Sequence, residues 1–130
     1  MILDATYCFD LMAADGDAFE AGTELVERGE VQCLPMPVLA EVHYGLATVG
    51  HDLDERDVRN RLLGYPRLAV TEDVARVARR LLADADDECG DARVGSNDAS
   101  IAAMAELRDD AVLTANATNF ERLGVAVETY

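Results

Sequence analysis

Short apolar runs alternate along the chain with longer stretches in which apolar residues recur every three or four positions. The short runs suit buried strands, and the recurring spacing is that of an amphipathic helix. We predict strands at Ile2–Leu3, Val31–Leu34, Arg67–Val70, Ala111–Thr114 and Val125–Glu128. We predict helices at about Tyr7–Ala14, Asp17–Arg28, Pro37–Val49, Asp54–Leu63, after Thr71, at Ser96–Arg108 and around Asn119–Arg122. This alternation favours an α/β fold built on a parallel sheet.

A few punctuating residues set the expected helix boundaries. Gly29 is expected to close the second helix as its C-cap, and Pro37 suits the first turn of the third. Thr71 is expected to cap the long helix, and Ser96 the next one. The acidic, glycine-containing stretch Asp84–Gly95 between these helices predicts a loop.

The length of 130 residues corresponds to one domain, 1–130, with enough chain to bury a core. Hydrophobic residues make up 50% of the sequence, so the chain should fold. No stretch approaches the roughly eighteen apolar residues of a membrane span, and an acid at Asp4 does not suit a secretory signal. We therefore expect a soluble cytoplasmic protein that does not bind membranes.

The charge balance is strongly acidic. Lys and Arg total 11 against 26 Asp and Glu, which gives a net charge of −15, and every one of the cations is Arg. This composition is typical of a halophilic protein, because dense carboxylates keep the surface hydrated and concentrated salt screens their repulsion. An acidic face that binds a basic partner is the alternative, and the two are compatible.

The missing residue types exclude several kinds of chemistry. Without lysine there is no Walker A loop and no Schiff-base site. The three cysteines form no CxxC pair, so neither a disulfide framework nor a zinc ribbon is indicated. His43 and His51 lie eight positions apart, which is a poor spacing for metal ligands. Carboxylate chemistry is what remains.

Three acids occupy positions that do not suit a purely solvated role, and Asp4 and Asp98 are the clearest of them. Asp4 ends the first strand, and the carboxyl ends of parallel strands are where α/β folds bind ligands. Asp98 is on the same helix face as Ile101, Ala102 and Ala105, so its carboxylate projects on the apolar side. Each has a simpler alternative: Asp4 as a turn or cap residue, and Asp98 as a first-turn acid that suits the helix dipole.

Two further polar residues are weaker candidates when taken alone. Glu41 is on the flank of the inward stripe of its helix, one turn before Gly45, and a glycine inside a helix indicates a close approach by another group. A boundary glutamate that reaches water explains Glu41 equally well. Asn116 follows the strand that ends at Thr114, where it could orient a water or form a turn.

Five segments together resemble one known family. They are ILDATYCFDLM, PVLAEVHYGLA, SNDASIAAMA, VLTANATNFERL and VAVETY. In this order and at this spacing, the sequence resembles PIN domains of the VapC type, the ribonuclease toxins of toxin–antitoxin pairs. The resemblance runs from end to end. It implies a PIN-like three-layer α/β/α sandwich with a central parallel sheet and with acids gathered at the carboxyl edge.

The resemblance also implies a site and a metal. The catalytic residues of the implied site are Asp4, Glu41, Asp98 and Asn116, each of which matches an acid or an Asp-or-Asn position of the family. The implied ion is Mg²⁺ or Mn²⁺, with Asp4 and Asp98 as direct ligands. Glu41 would complete the metal site or hold a water. Hard oxygen ligands are what Mg²⁺ prefers, so the chemistry agrees with the resemblance.

The resemblance implies partners as well. These are an RNA substrate, a cognate antitoxin and a second copy of the chain. The antitoxin segment would lie in a groove near the acids and place an Arg among them. The homodimer would form through the helices before residue 50 and the helix that carries Asp98.

Three departures from the family pattern bear on activity. Ala5 stands where the family usually has Thr, with Thr6 at the following Ser-or-Asn position. Asn119 replaces the usual Asp before Phe120, and Asn116 is also uncharged. Because neither Asn116 nor Asn119 carries a carboxylate, we expect a second metal site to be weak or absent. We also expect the activity to be lower than that of a family member with four acids.

Three functions remain open on the sequence. The first is metal-dependent cleavage of a structured RNA, with Thr6 and Asn116 as orienting groups and five arginines as candidate phosphate contacts, Arg28, Arg56, Arg59, Arg61 and Arg93. The second is a weakly active or inactive PIN fold that binds an antitoxin or RNA, which the two asparagines motivate. The third is a phosphohydrolase on another α/β fold, which Ala5 and Thr6 disfavour because no DxD follows the first strand.

Overall fold

The computed structural model describes residues 1–49, 55–89 and 94–130. The strands are β1 (Ile2–Leu3), β2 (Leu34–Pro35), β3 (Arg67–Leu68), β4 (Val112–Leu113) and β5 (Val127–Glu128). The helices are α1 (Ala5–Met12), α2 (Gly16–Glu27), α3 (Met36–Val49), α4 (Glu55–Leu62), α5 (Glu72–Cys89), α6 (Ser96–Arg108) and α7 (Thr118–Arg122).

The strands are all parallel and lie in the order β3-β2-β1-β4-β5. Hydrogen-bonded ladders join β1, β4 and β5, and another joins β2 and β3. A bridge between Ile2 and Cys33 connects the two ladders through the parallel neighbours β1 and β2. The predicted α/β fold with a central parallel sheet is confirmed. The chain adds strands on one side of β1 up to β3 and then on the other side. Because crossover connections are almost always right-handed, this change of direction places helices on both faces of the sheet.

The sheet order reverses at β1. From β1 the chain moves to β2 on one side, and after β3 it returns to β4 on the other side of β1. Ile2 pairs with Val112 and Leu3 with Leu113, so β1 and β4 end at the same level. A crevice between the carboxyl ends of such strands is where open α/β sheets bind their ligands.

Burial in the core fixes the positions of β1 and β4. Both residues of β1 and both residues of β4 are completely buried. Helix α6 packs on β1 and β4, and its apolar positions Ile101, Ala102 and Ala105 are buried. This is the stripe that the sequence predicted for the helix that carries Asp98.

Several predicted boundaries are wrong. Strand β1 has the predicted bounds, but β3, β4 and β5 are shorter than their apolar runs, because only two residues of each form regular ladder pairs. Strand β2 is shorter than predicted and begins three residues later, at Leu34. Helix α5 continues to Cys89, so no loop starts at Asp84. The buried Ala85 extends the apolar stripe of α5, and Arg80 forms an ion pair with Asp84 one turn along it. The later part of the predicted loop, 90–93, lies outside the described residues, as do Arg93 and His51.

The cap expected at the start of α6 is also wrong. Gly95, not Ser96, is the N-cap, and its position has no side-chain cap hydrogen bond. The predicted cap at Thr71 is confirmed, since its Oγ1 accepts a hydrogen bond from the backbone N–H of Val74 at 3.3 Å. The C-cap of α2 is Arg28 and not Gly29. Gly29 is the next residue and has a φ of 73°, in the left-handed region that favours glycine after a helix.

The close approach predicted at Gly45 is confirmed. A Cβ atom at this position would lie 2.8 Å from two ring atoms of Phe9. Helix α3 therefore crosses α1 closely. Glu41 lies one turn before Gly45 on α3, so this crossing sets the position of Glu41 relative to the start of α1. Among the described residues, no helix has the length and apolarity needed to cross a membrane.

Candidate functional site

A polar pocket of about 130 Å³ lies where β1 and β4 end. It is lined by residues from four parts of the chain, namely Asp4, Ala5, Thr6, Glu41, Asp98, Asn116, Asn119 and Phe120. The fold thus brings together all four predicted site residues, which are far apart in sequence. Below, these residues are called the edge pocket.

Asp4 is buried and held by two threonine hydroxyls. Thr6 Oγ1 and Thr114 Oγ1 each lie 2.8 Å from Asp4 Oδ2 and 3.0 Å from each other. The backbone N–H of Thr6 also approaches Oδ2, at 3.4 Å, because Asp4 is the N-cap of α1. The cap interpretation of Asp4 and its place in the pocket are therefore both correct.

Asp98 is half-buried in the first turn of α6. Its Oδ2 accepts a hydrogen bond of 2.7 Å from Nδ2 of Asn119. Burial raises the pKa of the Asp98 carboxyl, and the charge of Asp4 raises it further, whereas the hydrogen bond from Asn119 lowers it. Asp98 is therefore a partly desolvated carboxyl beside another acid, which is an environment that favours a cation.

Glu41 reaches the same pocket from α3. Its side chain is half-buried, and its Oε1 accepts a hydrogen bond of 2.6 Å from Nδ2 of Asn97 on α6. Asn97 is the residue before Asp98, so a single turn of α6 contributes one acid to the pocket and contacts a second.

Asn116 is exposed at the mouth of the pocket. Its backbone N–H donates to Thr114 Oγ1 at 3.0 Å, which is the turn that the sequence allowed. Its side-chain amide lines the pocket and has no hydrogen-bond partner among the residues that the structure describes. An amide of this kind is available to a ligand, since it offers both a donor and an acceptor.

The three carboxylates share one pattern. In each of Asp4, Glu41 and Asp98, one oxygen accepts hydrogen bonds from neighbouring side chains, and the other receives none within the described ranges. No carboxylate oxygen there is both buried and unsatisfied, so the second oxygens reach solvent. Each acid is thus oriented through one oxygen and left open through the other.

This donor set fits a hard divalent ion in its chemistry, because it offers carboxylate oxygens with amide oxygens beside them. Within ranges 1–49, 55–89 and 94–130, however, no three His, Cys, Asp or Glu side chains are grouped as a ready metal site. Asp4 and Asp98 repel each other, and this repulsion opposes a tighter grouping. A cation between them would attract both carboxylates and offset the repulsion.

Two members of this arrangement were missed by the sequence reasoning. Thr114 was assigned only as the end of a strand, and Asn97 was given no role. The signal for Thr114 is a hydroxyl at the carboxyl end of a buried strand that neighbours Asp4. For Asn97 there is only its place before Asp98, because its partner Glu41 is 56 positions away.

Neighbouring groups limit the other chemistry that this region can perform. Cys8 is buried one turn after Asp4, and burial with the charge of Asp4 raises the pKa of its thiol to about 12. It therefore stays protonated and is not a nucleophile. Of the candidate phosphate contacts, Arg28 is engaged by Glu30 and Glu128 at 2.9 and 2.8 Å. Arg59 and Arg61 are exposed on α4 and form no ion pair with other described residues.

Fold and pocket together define an α/β protein with carboxylates at the switch point of a parallel sheet. The PIN domain family matches residues 1–126, and the chain belongs to this family. The family resemblance seen in the sequence is thereby confirmed. No curated protein matches the chain by sequence.

Solved structures agree with this assignment. VapBC2 from Rickettsia felis, bound to a promoter DNA fragment, has a TM-score of 0.82 at 19% identity and covers 99% of this chain and 97% of its own. DNA-bound VapBC from Salmonella typhimurium has a TM-score of 0.80 at 24% identity, with 98% and 96% covered. FitAcB from Neisseria gonorrhoeae has a TM-score of 0.78 at 20% identity, with 97% and 94% covered. At these identities, the likeness establishes the fold.

Proposed function

We propose that this chain is a metal-dependent endoribonuclease and the toxin of a type II toxin–antitoxin pair. The observation that carries the proposal is the edge pocket of a PIN domain in which Asp4, Glu41 and Asp98 each keep one oxygen open. The ion would be Mg²⁺ or Mn²⁺, held by Asp4 and Asp98 with Glu41 alongside. When bound, it supplies Lewis-acid chemistry that activates water and offsets charge on the phosphate oxygens.

The chain's own residues orient the reacting groups. The hydroxyls of Thr6 and Thr114 hold Oδ2 of Asp4, so the other oxygen of this carboxylate points to the pocket with little rotational freedom. The side-chain amide of Asn116, which lines the pocket, would donate a hydrogen bond to a phosphate oxygen or a water. Such pre-oriented donors act on the transition state without having to reorganise.

The substrate that we propose is a single-stranded segment of RNA. A cavity of about 130 Å³ has room for one phosphodiester at a time. RNA loops present splayed single-stranded segments of this kind, which supports a structured RNA with an accessible loop. A net charge of −15 disfavours RNA binding at low ionic strength. At molar salt the charge is screened over about 3 Å, so the affinity for RNA would depend on direct contact with the metal and with arginines.

The test is cleavage of a structured RNA in molar KCl with Mg²⁺ or Mn²⁺, with wild type compared with Asp98→Asn. We expect wild type to cut at defined positions, and both Asp98→Asn and a chelator to abolish cutting. Asp109→Asn is the matched control. It makes the same change at the other end of α6, on an exposed residue whose φ of 52° suits asparagine.

The outcomes separate the possibilities. Cleavage that survives both Asp98→Asn and the chelator would exclude the edge pocket as the active site. Intact RNA with either metal, from folded wild-type protein, would refute the nuclease proposal.

The partner that we propose is a cognate antitoxin. A similar structure is a toxin–antitoxin complex from Klebsiella pneumoniae, and this chain has a second concave surface that suits a protein segment. That surface, called here the apolar groove, has a volume of about 270 Å³. It is lined by Tyr7, Leu11, Phe19, Gly22, Thr23, Val26, Gln32 and Tyr65.

An amphipathic segment with basic residues matches the surroundings of this groove. Phe19 is 69% exposed and Val26 is 67% exposed, so both leave apolar area for a partner to cover. Glu20 and Glu24 lie on the same helix beside an adjacent cleft. The segment would continue to the edge pocket and place an arginine among its acids. Size-exclusion chromatography with light scattering tests this complex and, for the chain alone, the proposed homodimer through α1–α3 and α6.

The alternative function is a PIN fold that binds an antitoxin or RNA and cuts weakly or not at all. The observation that favours it is Asn119, whose amide donates to Asp98 where the family usually has an acid. Isothermal titration with Mn²⁺ distinguishes the two functions. On the binding-module hypothesis wild type takes up no ion, and Asn119→Asp gains one. On the nuclease proposal wild type already binds one.

A further inference from the structure

We propose that Asn97 is a positioning residue that holds Glu41 in place for ion binding. The proposal rests on the proposed function, because it assigns Glu41 to the metal site. It adds a residue to which the sequence reasoning gave no role, and it identifies the first turn of α6 as the element that orients two of the three acids.

The contact itself is short and charge-assisted. Nδ2 of Asn97 lies 2.6 Å from Oε1 of Glu41, and hydrogen bonds to a carboxylate are about twice as strong as neutral ones. Glutamate has three side-chain torsions and loses considerable rotamer entropy when it is fixed. Asn97 therefore removes freedom that Glu41 would otherwise have to lose when an ion binds.

The chemistry of the donor matters as much as its position. An amide is neutral, so it orients the carboxylate and leaves the negative charge of Glu41 available to a cation. An arginine at the same place would form an ion pair with Glu41 and compete with the metal. Asn97 engages Oε1 alone, so Oε2 stays without a donor among the described residues.

A role in capping α6 does not explain Asn97. The N-cap is Gly95, where no side-chain cap hydrogen bond forms. Asn97 is exposed, and its contact with Glu41 is the one hydrogen bond that its side chain makes within the described ranges. Removing this side chain should therefore alter the position of Glu41 and leave the packing of α6 on the sheet intact.

The test is Mn²⁺ binding by isothermal titration calorimetry in molar KCl, without RNA. We expect Asn97→Ala to weaken the affinity about tenfold, because Glu41 would then lose its side-chain rotamer entropy when the ion binds. Asn97→Gln, which keeps the amide donor on a longer arm, should recover most of the loss. Asn60→Ala is the matched control, because Asn60 is an exposed helical asparagine whose side chain makes no hydrogen bond with other described residues.

A double-mutant cycle shows whether Asn97 acts through Glu41. Glu41→Gln should weaken Mn²⁺ binding by itself, and adding Asn97→Ala to it should cause no further loss. Urea unfolding of the metal-free variants should give the same midpoint as wild type, which separates a positioning role from a structural one.

The outcomes are distinct for this inference and for the proposed function. If wild type binds Mn²⁺ and Asn97→Ala binds it equally well, the role of Asn97 is refuted and the nuclease proposal stands. Additive losses in the cycle would also refute it, since Asn97 would then act independently of Glu41. If wild type binds no Mn²⁺, the metal site itself is wrong and the inference falls with it.

Discussion

Two concave surfaces lie on either side of helix α1, and they are built in different ways. Thr6 lines the edge pocket, whereas its neighbour Tyr7 lines the apolar groove. In the edge pocket, polar side chains from distant parts of the chain hold one another by hydrogen bonds. In the groove, Tyr7 and Leu11 meet apolar residues of α2, and Phe19 remains largely exposed.

The difference teaches how one small domain can carry both the proposed chemical site and the proposed docking surface without conflict. The pocket depends on orientation, so small changes to donors and acceptors should alter it. The groove depends on shape and apolar area, so changes in volume should alter it. Variants that affect one surface and leave the other intact therefore test the separation.

The largest effect is expected from Asp4→Ala. It removes a proposed metal ligand, so RNA cleavage should fall at least about 100-fold. It also removes the acceptor of two threonine hydroxyls, of which Thr114 is buried, which should lower the free energy of unfolding by about 2 kcal/mol. Cleavage assays and urea unfolding measure the two effects.

Asp15→Ala is the control for that change. Asp15 is the N-cap of α2 and accepts from the backbone N–H groups of Asp17 and Ala18, both at 3.0 Å. Its loss should cost about 1 kcal/mol, as other caps do, and leave cleavage unchanged. Reduced cleavage in Asp15→Ala would show that the pocket and α2 are coupled.

The next effect is expected from Gly22→Ala, under the apolar groove. The new Cβ would overlap the hydroxyl oxygen of Tyr7, which is buried and donates to Gln32 at 3.4 Å. Overpacking of this kind should cost about 2 kcal/mol by urea unfolding. Gly16→Ala, with nothing within 4 Å of the new methyl, should cost nothing. Equal stabilities of the two variants would contradict the rigid packing of Tyr7.

Phe19→Ala should affect association and leave folding alone. Because the ring is 69% exposed, the free energy of unfolding should change by less than about 0.5 kcal/mol. Affinity for the proposed antitoxin should fall about tenfold, as for an aromatic anchor at an interface. Leu107→Ala, an exposed apolar residue on α6, is the control. Unchanged affinity of Phe19→Ala would exclude the groove as the docking surface.

The smallest effect is expected from Asp98→Asn on the metal-free protein. Burial and Asp4 raise the pKa of this carboxyl in the folded state. The native state therefore favours the neutral acid, and stability is lost as pH rises through the folded pKa. The amide that replaces the carboxyl cannot ionise, so the variant should be more stable than wild type at pH 7. The gain should be less than about 1 kcal/mol, because solvent screens a half-exposed group.

The pH dependence gives the control for this prediction. The difference between variant and wild type should disappear below the unfolded pKa, about 3.9, where Asp98 is protonated in both states. Urea unfolding in a chelator at several pH values measures it. A variant that is less stable than wild type at pH 7 would reverse the sign and contradict the electrostatic account.

Much of the fold follows from local signals. Apolar periodicity predicted the helices of the described residues, because each buries one face, and Gly29 and Thr71 mark boundaries whose chemistry is local. Two predicted boundaries, at Asp84 and at Ser96, were wrong. At Asp84 the acidic residues predicted a loop, yet Ala85 continues the buried stripe of α5 and an ion pair between Arg80 and Asp84 supports the extra turn.

The site was predictable only in part. Asp4 and Asp98 each break a local rule, since an acid lies at a strand end or on an apolar helix face, and such conflicts mark function. The supporting residues obey local rules and so give no signal. Thr114 is an ordinary strand residue, and Asn97 an ordinary first-turn residue, until the fold brings their partners to them.

The strand order also has a consequence for the timing of assembly. β4 lies beside β1 in the sheet although Thr114 follows Asp4 by 110 positions in the chain. Contacts that span so much sequence form late, because a long loop must close first. A nascent chain still lacking β4 at the ribosome exit has Asp4 without Thr114 beside it. We therefore expect the edge pocket to be completed only after β4 has been synthesised, so that a ribosome still translating the residues between Asp4 and Thr114 carries no assembled site.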